Sequence, residues 1–349
     1  MLRHDTTLIL GAGASKIFGL PLGEDLRNIL SRDLSIQFDD WGGKLEQGSP
    51  DIVYALREIA TNDQSLRGDI GPLVKIANEI ADAMPMCSSI DDYIERHSDQ
   101  GRHELCAKLG IAHAILQAER HSPLWDNPRS DTPLKLSKFG GCWLSLFLQL
   151  VTRQATRSSL KDAFSRLRVI SFNYDRCFEH FTFHWLQQVY KIDYAEAQNI
   201  CADLNIIHPY GSLGDIFDIR QNNRTSFGAQ PSSSRLIDVA PGIFTYSESK
   251  QDKNKAALAK YFLDDCQRIV ILGFAFHSQN INYLTTAPRS KGVHRRVFSS
   301  TVGISAVKWE TMRQRLSICL NTSGESLLTH TDSTSCESLI MEYADQIAE

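Results

Sequence analysis

What most restricts this chain is a short passage near its beginning. Thr6 to Leu10 is an apolar run of strand type, it stops at Gly11-Ala12-Gly13-Ala14-Ser15, and Leu22 to Leu34 then carries helical spacing. Strand, glycine turn and helix in that order begin a parallel α/β sheet. Glycine without a Cβ lets the backbone approach a pyrophosphate, and the unpaired helix N–H groups face it. The same turn also reads as a tight bend with no ligand. Lys16 stands at the third fingerprint position. A helix ends around Asp33 to Asp40, where a dehydrogenase would place a strand bearing a ribose-binding acid, so an ordinary dehydrogenase is disfavoured.

Strand signals return at Arg168 to Phe172, Asn205 to His208 and Arg268 to Leu272, and more weakly at Arg295 to Thr301. Each is short and apolar, as strands buried on both faces are. The helical stretches Asp175 to Tyr190 and Lys253 to Cys266 supply crossovers. The expected fold is α/β, a doubly wound Rossmann-like parallel sheet in one domain spanning residues 1–349. A helical insertion is expected over about residues 42–151, with helices at Asp51 to Ala60, Pro72 to Met84, Ile90 to His97 and His103 to Arg120. Ser122 to Lys138 reads as a loop and Gln221 to Ser234 as a mobile loop near the site. Residues 321–349 read as a C-terminal tail, with a helix over Ser333 to Ile347.

Composition excludes several classes. Among 349 residues, 37 Lys and Arg face 41 Asp and Glu, a net charge of −4 that offers nucleic acid no global positive field, so direct nucleic-acid binding is not expected. The basic cluster Arg289, Lys291, His294, Arg295 and Arg296 reads first as a solvated face. The most membrane-like stretch, Trp143 to Val151, is too short to span a bilayer, and Leu8 to Leu10 is too short for a signal core. A cytoplasmic location is expected. The eight cysteines form no C-x-x-C pair, which argues against zinc knuckles and for packed, reduced thiols.

The string GAGASKIFGLP, residues 11–21, closely resembles the sirtuin signature, G-A-G-[I/A]-S followed after three residues by G-[I/L]-P. Three further blocks follow in the family's order. Ser171-Phe172-Asn173-Tyr174-Asp175 is similar to the T-Q-N-I-D block, and Ile207-His208-Pro209-Tyr210-Gly211-Ser212-Leu213 to the histidine-glycine block. Leu272-Gly273-Phe274-Ala275-Phe276-His277-Ser278-Gln279-Asn280 stands where the family has its later nucleotide-binding strand end. Deacetylases follow the proline with Asp-Phe-Arg and carry a zinc module with two C-x-x-C pairs. Here Leu22-Gly23-Glu24 follows and that module is missing, so the chain resembles the sirtuin-like domains of bacterial anti-phage defence systems.

The resemblance implies hydrolysis of NAD+, as substrate and not as cofactor, to nicotinamide and ADP-ribose, with no zinc and no other metal. It implies an abortive-infection effector controlled by homo-oligomeric assembly or by a separately encoded ATPase, translocase-like or Argonaute-like partner. Breaking the nicotinamide glycosidic bond builds oxocarbenium character on the ribose and needs an oriented attacking group. Asn173 has the donors and acceptor to hold a water or ribose hydroxyl, and His208 the pKa for a base or a ribose hydrogen bond. Asp175 is placed on the nicotinamide carboxamide. Deacetylases have histidine directly before the glycine, where Tyr210 stands; we assign the role to His208, with Tyr210 as neighbour or substitute. Gly11, Ala12, Gly13 and Ser15 are expected at the phosphates and ribose, and Gly273 and Asn280 around the adenosine. The structural alternatives are helix capping for Asn173 and Asp175 and a satisfied strand-end histidine for His208. The functional alternatives are a non-enzymatic NAD or ADP-ribose-binding module, an ADP-ribosyl transferase and, against the missing zinc module, a deacylase.

Overall fold

In the computed structural model six strands among the described residues form one sheet: β1 (Thr6–Leu10), β2 (Leu167–Ser171), β3 (Asn205–Ile207), β4 (Arg268–Leu272), β5 (Arg296–Ser299) and β6 (Leu327–Leu328). Their order is β3-β2-β1-β4-β5-β6, and every pair is parallel. This is the doubly wound Rossmann order, in which the chain walks outward from β1, returns to its other side and walks outward again. The sheet is flanked by helices. The structure describes residues 1–40, 43–97, 99–127, 134–217, 225–285, 295–321, 327–328 and 334–349.

All five residues of β1, β2 and β4 are buried. That is why their inner residues, Leu8 to Leu10, Val169 to Ile170 and Ile269 to Leu272, are apolar without alternation. The polar residues at the start of β1 are satisfied internally: Thr6 Oγ1 donates to the His4 carbonyl at 3.0 Å and Thr7 Oγ1 to the Phe262 carbonyl at 2.6 Å. In register, Leu10 lies between Ser171 and Leu272. The carboxyl ends of the three middle strands are therefore level, and the turns that follow them emerge together.

The chain divides into two units. The sheet belongs to one, made of Met1–Ile17, Asp126–Pro209 and Ser249–Glu349. There the helix Trp143–Val151 packs on Cys336–Ala348 and on Cys177–Tyr190, which in turn packs on Tyr194–Ala202. The other unit, Phe18–Trp125 with Tyr210–Glu248, is built from the helices Gly23–Asp33, Pro50–Asn62, Gly71–Ala83, Ile90–Arg96, Gly101–His121 and Ser233–Val239, with a small antiparallel pairing of Gln37–Phe38 and Leu45–Gln47. Its helix starts follow capping chemistry. The Ser49 hydroxyl accepts Ile52 N–H ahead of Pro50, and the Ser89 hydroxyl accepts Asp92 N–H at 3.0 Å.

Two elements depart from expectation. Leu327–Leu328 pairs with β5, and two residues inside a polar stretch are too few for any periodicity to register. Arg295 precedes β5 and is buried, its guanidinium donating to the carbonyls of Cys266, Leu320 and Leu263. It thereby caps the helices Lys253–Asp264 and Ala306–Cys319. Arg295→Met keeps the length and removes the donors; we expect a loss of about 3 kcal/mol in the unfolding free energy measured by urea titration, because several buried carbonyls lose a charged partner at once. Arg289, Lys291 and His294 lie outside the described residues, as do Gly42, Pro128, Pro133, Gln221 and Ser333. Among the described residues no helix is long and apolar enough to cross a membrane.

Candidate functional site

In a doubly wound sheet the crevice for ligands opens at the carboxyl ends of the strands where the order reverses, here between β1 and β4. The turns after those two strands meet by backbone. Gly11 N–H donates to the Leu272 carbonyl at 3.0 Å and Gly13 N–H to the Gly273 carbonyl at 2.9 Å. A Cβ on Gly11 would lie 2.6 Å from the Gly273 oxygen, and one on Gly13 would lie 2.8 Å from the Gly273 Cα. The Cβ positions of both glycines thus point into a neighbouring loop, and the contact between two strand ends already requires glycine. Trp143 Nε1 donates to the Ala14 carbonyl at 2.8 Å, and Ser300 Oγ accepts Gly273 N–H at 2.9 Å while receiving the Cys336 thiol at 3.7 Å. Burial pushes that thiol up to about 11, so it remains a neutral donor.

Beyond β2 and β3 a continuous hydrogen-bonded chain begins. Asn173 Nδ2 donates to the Gly11 carbonyl at 3.1 Å and to Ser15 Oγ at 3.0 Å. Ser15 Oγ donates to Asp175 Oδ1 at 2.9 Å, and the same oxygen accepts Cys177 N–H at 3.1 Å. His208 Nδ1 lies 2.9 Å from the Asn173 carbonyl, and its Nε2 lies 2.8 Å from Glu179 Oε1. Ser15, Asn173 and Asp175 are all buried. Burial alone would disfavour a charged imidazole at His208, yet the adjacent Glu179 carboxylate, with the Asn173 carbonyl and Asp175, outweighs it and raises the pKa above the ordinary histidine value.

No protein-family model and no curated protein matches this chain. Asn173 does not cap a helix: the following helix starts at Cys177, and its amide reaches across to the β1 turn instead. Because both amide hydrogens are committed, the network fixes which way the amide points and leaves the carbonyl Oδ1 as the group that can act on a ligand. Asp175 does receive the first amide of that helix while holding Ser15. Both ring nitrogens of His208 are engaged, the geometry of a satisfied strand-end histidine.

Of the residues singled out from sequence, Gly11, Gly13, Ser15, Asn173, Asp175, His208 and Gly273 meet around the ends of β1 to β4, with Ala12 in the same turn. Asn280 lies half-buried in the helix Ser278–Tyr283 that follows β4. Tyr210 falls in the helical unit, where its carbonyl accepts Phe244 N–H at 2.9 Å. Sequence reading missed Glu179, Trp143, Ser300 and Cys336. Glu179 had one available signal, since it lies four residues after Asp175 in a stretch read as helix.

A serine–histidine–aspartate run lies in the helical unit. Ser49 Oγ is 3.0 Å from His113 Nε2, and His113 Nδ1 is 3.2 Å from Asp33 Oδ2. Ser49 caps the helix Pro50–Asn62 and donates its own N–H to the Asp33 carbonyl at 2.9 Å. The group ties three helices together and reads as a structural clasp. In the same unit Glu248 takes Thr245 N–H at 2.7 Å and the Lys108 ammonium at 2.8 Å, at the start of the helix Tyr246–Gln251. Among the described residues no group of three His, Cys, Asp or Glu side chains could hold a metal ion.

Proposed function

We propose that the sheet-bearing unit binds a pyridine dinucleotide at the carboxyl ends of β1, β2 and β4 and hydrolyses its nicotinamide glycosidic bond. The observation that carries this reading is Asn173, whose two amide hydrogens are committed to the glycine turn and whose Oδ1 is left to accept a hydrogen bond beside the turn that follows β1. The bond between the ribose C1′ and the pyridinium nitrogen breaks with its electron pair going to that nitrogen, so nicotinamide leaves neutral and needs no acid. A water oxygen bonds to C1′ and gives its proton to solvent. Such a dissociative step depends on an oriented water more than on a strong base, and a neutral amide acceptor suits it. The Asp175 carboxylate, one hydrogen bond away through Ser15, adds negative potential on the side where the ribose becomes cationic.

On the resemblance set out above, this reaction is that of an abortive-infection effector, restrained by self-assembly or by a separately encoded ATPase, translocase-like or Argonaute-like partner. A second reading, a non-catalytic module that senses NAD or ADP-ribose, is favoured by one observation: both nitrogens of His208 are occupied, so it offers no free base. Incubation of the purified chain with NAD, measuring free nicotinamide and equilibrium binding side by side, separates the two. Stoichiometric binding without nicotinamide supports the sensor and removes the hydrolase.

A further inference from the structure

We propose that Glu179 and His208 form a clamp on the Asn173 main chain, which makes both of them positioning residues that set the direction of Asn173 Oδ1. This rests on the hydrolase reading for its effect on rate, and on the hydrogen-bond geometry alone for the clamp itself.

The Asn173 carbonyl can only accept, so His208 Nδ1 carries a hydrogen. The other nitrogen shares a proton with Glu179 Oε1 at 2.8 Å, which leaves neither nitrogen with a lone pair to offer a substrate. The three partners come from three elements: Asn173 follows β2, His208 follows β3, and Glu179 lies in the first turn of the helix Cys177–Tyr190. The Asn173 side chain is gripped separately by Gly11 and Ser15. With backbone and amide held from opposite sides, Oδ1 has one direction. A buried ion pair contributes little net stability against an apolar replacement, and fixing a unique geometry is the better-attested use of one.

The groups facing His208 are Glu179 and Asp175, together with the Asn173 carbonyl. The Cys201 thiol of the helix Tyr194–Ala202 lies near Glu179 and is pushed up by burial, so it stays neutral. The sign of the pH dependence separates a clamp from a base. A base works only after losing its proton, and its activity rises with pH. The clamp works while His208 keeps its proton; activity holds below the raised pKa and falls as pH climbs through it. The stability contributed by the pair follows the same sense, complete below the ordinary histidine value and lost on the alkaline side.

The test uses the full chain with isotope-labelled histidine, read by NMR, together with nicotinamide release over a range of pH. We expect His208 to be an imidazolium at neutral pH. In Glu179→Gln we expect it to become neutral, kcat to fall by about tenfold with KM little changed, and the alkaline fall in activity to move to lower pH. A neutral His208 in the unmodified protein overturns the clamp whether or not nicotinamide is released, and so does a Glu179→Gln enzyme with unaltered kcat and pH profile. Absence of nicotinamide from the unmodified protein, with His208 still an imidazolium that Glu179→Gln abolishes, removes the hydrolase reading and keeps the clamp. If Glu179→Gln fails to fold, the NMR state of the unmodified protein still decides.

Discussion

Asn173→Ala is expected to lower nicotinamide release from NAD by about a hundredfold or more, the range seen when one preorganised polar group is taken from a reacting centre. The truncation removes Oδ1 and leaves the Gly11 carbonyl and Ser15 Oγ without their donor. Two hydrogen bonds lost from a buried position amount to about 1–3 kcal/mol of stability, which a folded domain of this size tolerates. Circular dichroism and size-exclusion profiles should therefore match the unmodified protein while the rate collapses. Wild-type turnover in a folded Asn173→Ala protein would remove Asn173 from the reaction. Asn173→Asp sharpens the comparison, because it keeps the shape but replaces the Nδ2 donor with an acceptor facing the Gly11 carbonyl.

The second large effect is on stability. Gly273 has φ +61°, and a Cβ there would stand 1.9 Å from the Ala14 nitrogen and 2.7 Å from the Gly13 Cα. These are backbone atoms that cannot swing aside. Gly273→Ala must pry apart the β1 and β4 turns and break the Gly13 to Gly273 hydrogen bond, and we expect a loss of about 4 kcal/mol or more. Gly303 supplies the control. Its φ is also positive, at +76°, but nothing lies within 4 Å of its Cβ position, so Gly303→Ala should cost only the left-handed backbone penalty of about 1 kcal/mol. Urea midpoints of the two variants measure the difference. Equal losses would mean that the contact between the turns contributes nothing.

The two strands read most accurately from sequence, Thr6–Leu10 and Arg268–Leu272, are buried on both faces and end at glycine, so composition and boundary agree. In the other unit the helix read from Ile90 was legible for a similar reason, because Ser89 marks its start. It was the motif resemblance that drew attention to Ser15, Asn173, Asp175 and His208, which all lie just past parallel strands. It could not show how they bond. That Asn173 turns to the β1 loop rather than capping its own helix depends on the level ends of β1 and β2, a tertiary fact. Arg295 shows the opposite limit. In one dimension it belongs to a run of positive charge, and only folding reveals that it is buried against main-chain carbonyls. Tyr210 and His208, two residues apart in one motif, fall into different units, a division no local pattern announces.

The placement of β1 at the centre of the sheet bears on how the protein is made. This strand leaves the ribosome well before its partners on either side, β2 and β4. The nascent chain must carry an unpaired, largely apolar segment until both have been made, with the Phe18–Trp125 portion emerging in between and itself awaiting Tyr210–Glu248. Pairings so distant in sequence make for slow folding and prolonged exposure of sticky edges. Production in the cell should accordingly lean on holdase chaperones, and truncated transcripts ending before Leu272 should yield insoluble product.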